Sequence, residues 1–461
     1  MSSQANTPES VPHLRRVISL WDLVFYGIVL VQPIAPIPIF GVAQKLSDGH
    51  YVTTILLAMF PMLITAFSYG RMAAVYPSAG SAYTYVGKGL NTYLGFLVGW
   101  AMLLDYLLLP LVNGIWVAVA IHSRYLTHVP YALAMFLVVV LMTAPNLRGI
   151  RTSAYADKIL LVAMCSVTAI FIVLGVRFLF HNQGWGGLFS TVPFYNPQTF
   201  NTHTVWMATS YAALTYIGFD GVTTLAEDVV NPKRNVLLAI VLVCLFTGMF
   251  GGFLAYLGQL IWPDWHTLPN LETAFMDVCQ RVGGPPLFHA MGFTILLAEF
   301  GGGLAGIVGA ARLLFSMGRD KVLPPRIFAH LSPGTSNPTY NILIVGAIAF
   351  IGALALQYVG NAFEHAGEML NFGAFFAFTN VNLAAFWQFA FVRPHKSRFR
   401  TIIDSSLSLF GATFCGIIWW NLDSVAKIVG GIWFLIGMIY LAFHTRGFRT
   451  PPRMIALSES S

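Results

Sequence analysis

The chain has 461 residues, 57% of them hydrophobic and only 9% charged, with a formal net charge of +7. A water-soluble chain carries about a quarter of its residues charged, so this composition excludes a soluble domain and points to an all-α polytopic membrane protein. In such a chain the positive excess is read from its position along the sequence, and neither a nucleic-acid partner nor a cofactor is expected.

The opening stretch MSSQANTPESVPHLRR is polar and lacks a cleavable signal pattern, so residues 1–19 are expected to form a cytoplasmic tail. Runs of about 20 apolar residues suffice to cross a hydrocarbon core of roughly 30 Å. Twelve such spans are predicted: 20–44, 52–75, 93–122, 130–147, 156–180, 203–229, 236–262, 286–316, 338–359, 364–391, 402–421 and 426–445. Residues 446–461 form a second cytoplasmic tail. The first span reads FYGIVLVQPIAPIPIFGV from Phe25 to Val42 and contains Pro33, Pro36 and Pro38. Proline offers no amide hydrogen and breaks a helix interior; three of them so close exceed what a kink needs. A discontinuous helix is therefore expected, with Gln32, Ile34, Ala35 and Ile37 at a substrate site. The nearby amides of Ile34, Ala35, Ile37 and Ile39 are its possible backbone donors.

Between spans 2 and 3, GSAYTYVGKGL from Gly80 to Leu90 reads as an interfacial helix. Span 3 carries Asp105 about 12 residues in, roughly 18 Å deep at 1.5 Å per residue, with Tyr106 beside it. Span 6 reads ATSYAALTYIGFDGVTTLAEDV from Ala208 to Val229 and is expected to break around Gly218, Asp220 and Gly221. Tyr211, Tyr216 and Phe219 lie at a similar depth. Leu271 to Val282 reads as another interfacial helix. Span 8 holds Glu299 in LLAEFGGGLAG, again about mid-depth. The cysteines Cys165, Cys244, Cys279 and Cys415 are scattered and suggest no disulfide framework.

In lipid, unpaired backbone survives only where it lines a cavity or is buried in protein. Paired broken helices in two halves of a chain point to a transporter's binding site. The two breaks lie five spans apart, and an odd number of spans per repeat inverts the second copy. The chain therefore reads as two inverted five-span repeats, 20–180 and 203–391, followed by two extra spans over 402–445. Placing both termini inside puts 20 of the 25 Lys and Arg residues in cytoplasmic segments, as the positive-inside rule requires. The expected location is the plasma (inner) membrane.

An ionisable side chain at mid-membrane costs at least about 2.5–3.5 kcal/mol and usually faces a cavity or a partner. Asp105, Asp220 and Glu299 are thus candidates for holding a cationic group or a coupling proton, and no Lys or Arg lies at their depth. The rings of Tyr106, Tyr211, Tyr216 and Phe219 could stack on a cation or simply pack. Gly301, Gly302 and Gly303 read as close helix packing; they bring no hydroxyl, so sodium coupling is less expected than proton coupling. No metal site is expected. HExxH, GxSxG and Walker-type patterns are absent, so no enzymatic activity is expected.

The strings YPSAGSAYTYVGKGL (76–90), NLRGIRTSAYADK (146–158), TYIGFDGVTTLAEDVVNPKRNV (215–236) and ARLLFSMGRDKVLP (311–324) resemble the amino acid–polyamine–organocation transporter superfamily. Within it the chain looks most like bacterial putrescine importers, through LSDGH (46–50), GFLVGWAMLLDYLLLPLVN (95–113), GFDGVTTLAED (218–228) and LNFGAFFAFTNVNLAAF (370–386). The resemblance implies a LeuT-like fold of five plus five inverted helices, a small amine or amino acid as substrate, and a role for Tyr106 in recognising putrescine. It also shows three departures. Pro38 stands where those importers carry an acid, Met164 where many proton-coupled members carry a lysine, and Glu299 where the importers carry a hydroxyl residue. These departures suggest an amine-binding acid moved from span 1 to span 8. A secondary-active importer working by alternating access is the expected function; a channel or a transport-inactive solute sensor on the same fold is the alternative.

Overall fold

The computed structural model describes residues 18–452, except 79, 123–127, 149, 272, 333–336, 359–361 and 395–396. Most of the two expected tails, and the basic residues Arg15, Arg16, Arg124, Lys396 and Arg453, lie outside the described residues. Among the described residues every named element is helical, and the one β pairing is a parallel bridge between Ile18 and Val229.

Helix α1 runs Leu20–Val31 and α2 runs Phe40–Leu46. Ser19 starts α1 with a capping box, its side chain accepting the Asp22 N–H while Asp22 accepts the Ser19 N–H. The helix stops at Gln32, whose φ of 65° leaves the helical region, because a residue before proline is pushed out of that region. Between the two helices the chain folds into tight turns. The Ala35 N–H donates to Gln32 O (3.0 Å) and the Ile37 N–H to Ile34 O (2.8 Å), while the Tyr51 hydroxyl donates to Pro36 O (3.1 Å). Two of the amides expected as substrate donors are thus used within the break itself.

The chain continues through α3 (Tyr51–Val75), α4 (Ser81–Gly89), α5 (Thr92–Ala120), α6 (Tyr131–Arg148) and α7 (Ile150–Gln183). Next comes α8 (Thr202–Ala212), which passes into two 3-10 segments, Ala213–Tyr216 and Phe219–Leu225. Then follow α9 (Pro232–Ile261), α10 (Ala274–Arg319), α11 (Pro325–Phe328), α12 (Thr339–Leu356), α13 (Ala362–Trp387), α14 (Arg398–Trp420) and α15 (Ser424–His444). Among the described residues ten helices are long and apolar enough to cross a membrane. Within α10, Gly284 (φ 67°, ψ −167°) precedes Pro285 and Pro286 and separates a short leading helix from the long one that carries Glu299.

The 3-10 stretches meet at Gly218, whose φ is 101°. A Cβ there would lie 3.2 Å from Leu30 O and 3.3 Å from Leu30 Cγ. Both the backbone angle and the neighbour require glycine, so Gly218→Ala is expected to cost about 1–3 kcal/mol. A lowered midpoint of thermal unfolding in detergent would record the loss.

The α5 helix lies at the centre, packed against α10 and α13, while α3 packs along α9. The apolar stretch of α5 is 78% buried, against 22% for those of α7 and α15, so α5 organises the interior and the other two face outward. The α15 helix is hung on α5 by a stacked tryptophan pair 4.8 Å apart. Trp100 Nε1–H donates to Trp433 O (2.9 Å) and Trp433 Nε1–H donates to Trp100 O (2.7 Å).

The α4 helix, expected to be interfacial rather than a span, is closely covered by its protein neighbours. Its residues 81–87 are all buried, with Tyr83, Tyr85 and Val86 at 0% exposure. Tyr83 donates its hydroxyl to Asp320 (2.8 Å), and a Cβ on Gly99 would meet the Tyr83 ring at 2.8 Å. The tyrosine hydroxyls and glycines that lower the hydropathy of this segment are what let it pack inside.

Candidate functional site

The end of α1, the interruption after it, α5, α10, α13 and the first 3-10 segment after α8 enclose a small cavity. Its walls are mainly apolar: Leu30 and Val31 from the end of α1, Ala35 and Ile39 from the first interruption, Leu109 and Val112 from α5, Leu214 and Ile217 beyond α8. Its polar groups are Gln32, Asn113, Tyr211 and Glu299. Glu299 is the one charged side chain in this lining.

Glu299 is 5% exposed and is held from two sides. With its amide oriented to satisfy both ends, Asn113 donates Nδ2–H to Glu299 Oε2 (2.8 Å) and accepts the Gly303 N–H at Oδ1 (2.9 Å). The Gln32 side-chain amide lies within hydrogen-bonding reach of the same carboxylate. Gly302 makes room for both amides: a Cβ there would overlap Gln32 Nε2 and lie 2.6 Å from the Asn113 amide, on the side that carries Oδ1 in this orientation. The glycine run therefore serves the carboxylate as well as helix packing. A carboxylate facing a cavity with no basic residue in its lining attracts an ammonium group, and a charge-assisted hydrogen bond is about twice as strong as a neutral one.

A second acidic pair lies deeper. Tyr106 donates its hydroxyl to Asp220 Oδ2 (3.1 Å), and both residues are almost fully buried. Asp105, 3% exposed, lies within electrostatic reach of Asp220. Of the residues expected from sequence, Gln32, Ala35 and Glu299 line the cavity; Asp220 and Tyr106 meet each other outside its lining. Ile34 and Ile37 are core residues at 0% and 2% exposure. Tyr216 is fixed by a hydroxyl bond to Ile55 O (2.9 Å). Phe219 packs on Tyr69 (6.0 Å) and Phe378 (5.1 Å). Sequence reasoning missed Asn113, although an asparagine inside a 29-residue apolar helix is itself a signal.

With every named element helical, ten membrane-length helices among the described residues and an internal acidic cavity, this is a multi-pass membrane protein with a site for a small solute. A family model described as "Amino acid permease" matches residues 18–458. The chain belongs to the amino acid permease family, and is a permease rather than an enzyme. It is 34% identical to the low-affinity putrescine importer PlaP of Escherichia coli (strain K12), over 98% of each chain. It is 25% identical to the branched-chain amino acid permease BcaP of Lactococcus lactis, over 94% of this chain and 96% of that one. It is 24% identical to the methylthioribose transporter of Bacillus subtilis, over 94% of each.

Proposed function

We propose that this protein is a secondary-active transporter that imports an amine, putrescine-like in character, or an amino acid across the bacterial plasma (inner) membrane. The observation that carries this reading is the cavity at the interrupted segments, whose single charged side chain, Glu299, is oriented by Asn113 and Gln32. The similarity to a putrescine importer over 98% of each chain supports the amine; the similarity to a branched-chain amino acid permease keeps an amino acid in view.

In this reading residues 20–46 and 202–225 are spans 1 and 6, each broken at its middle. Together with the ten long helices they give twelve spans, arranged as two inverted sets of five plus two, with both termini cytoplasmic. The substrate ammonium pairs with Glu299, and the residues of the first break, Gln32 and Ala35 among them, form the wall that moves. Rocking one set of helices against the other exposes the cavity alternately to each side. Proton binding at Asp105, Asp220 or Glu299 couples uptake to the proton gradient.

Uptake into proteoliposomes tests this function. Labelled diamines, monoamines and amino acids are offered under imposed proton or sodium gradients. A cationic amine accumulating under an inward proton gradient is the expected result. Uptake driven by sodium alone would replace the coupling ion, and flux above carrier turnover would favour a channel.

A further inference from the structure

Two carboxylates border the interrupted segments, one in the cavity lining and one buried outside it. Glu299 faces the cavity. Asp220 lies beyond Leu30 at 1% exposure; Oδ2 is held by Tyr106, while Oδ1 has no hydrogen-bond partner. Close by, the Tyr69 hydroxyl is also buried without a partner, its ring edge-on to Phe219 and Phe378. A native interior pairs nearly all its buried polar groups, so an unpartnered carboxylate oxygen beside an unpartnered hydroxyl marks a place for a donor that arrives with a ligand.

Leu30 is the partition. One side of it lines the cavity. The other lies against Gly221, where a Cβ would overlap Leu30 Cδ2 and sit 3.6 Å from the Tyr106 hydroxyl. Both acids are held from one helix: Tyr106 holds Asp220 and Asn113 holds Glu299, two turns apart along α5, roughly 10 Å of axial rise.

We propose that the site holds a short α,ω-diamine by both ends, one ammonium on Glu299 and the other on the free oxygen of Asp220, with Leu30 turned aside. This rests on the amine reading of the cavity given above. A monoamine or an amino acid fills only the Glu299 pole and leaves the deeper acid unpaired. A site built for a polar group rejects an analogue that lacks it.

The test is competition against a labelled four-carbon diamine with the full chain in proteoliposomes. The competitors are α,ω-diamines of increasing chain length and a monoamine of matched length. The four-carbon diamine is expected to outcompete the matched monoamine by about tenfold or more, and Asp220→Asn to remove most of that advantage. An advantage unchanged in Asp220→Asn, or no advantage in the parent protein, overturns the proposal. If Asp220→Asn does not fold, Leu30→Phe, which thickens the partition, carries the same comparison: a lost advantage supports two-ended binding and a retained one overturns it. Failure of every amine to compete would remove the amine reading itself. Monoamine binding without diamine preference would remove only the two-ended one.

Discussion

Glu299→Gln is expected to abolish most uptake of a cationic substrate. The substitution keeps the size of the side chain and its approach to Asn113, and removes the one charge in the cavity lining. Truncating one partner of a buried charge pair costs about 2–5 kcal/mol, which is on the order of thirtyfold or more in affinity. Because the cavity wall is otherwise apolar apart from Gln32, Asn113 and Tyr211, no second group there can take over the ammonium. Concentration-dependent uptake of a labelled amine into proteoliposomes measures the change. A variant that transports as well as the parent would show that the cation is bound elsewhere.

Arg312→Gln is expected to destabilise the folded protein more than any surface substitution. Arg312 bridges α10 to the end of the second interruption: Nη1–H donates to Asp228 Oδ2 (3.0 Å) and to Thr224 O (3.3 Å). Both side chains of the ion pair are only 12% exposed. Removing one partner leaves the other buried and uncompensated, at a cost of about 3–5 kcal/mol, whereas replacing both with apolar groups is far milder. The midpoint of thermal unfolding in detergent should therefore fall sharply in Arg312→Gln. It should recover substantially in the double variant Arg312→Leu with Asp228→Leu. Equal losses in the single and double variants would contradict this account.

What could be read from sequence followed the strength of the local signal. The long helices were legible because apolar runs have few alternatives in lipid. The interruptions were legible because Pro33, Pro36 and Pro38 cannot supply helix amides and because Gly218, at φ 101°, takes an angle that side chains avoid. Glu299 was legible as an acid in an apolar span. Its environment was not, since Gln32 and Asn113 reach it from the first break and from α5, and no local pattern joins them to α10. Tyr216 and Phe219 illustrate the opposite limit. Their depth suggested a ligand site, but depth does not say which way a ring points, and both are spent on packing or backbone contacts. The burial of α4 within the protein was not legible, because its tyrosine hydroxyls lower hydropathy without preventing burial.

The short pairing at Ile18 has a practical bearing. The Ile18 N–H donates to Asp228 O (3.0 Å), and the Val230 N–H donates back to Ile18 O (2.9 Å). The chain just ahead of α1 is thereby clipped to the same stretch that Arg312 grips. A fluorophore placed next to this clip would report whether the pairing opens when a solute is added, and a bulky fusion at the same end would strain the pairing it was meant to observe.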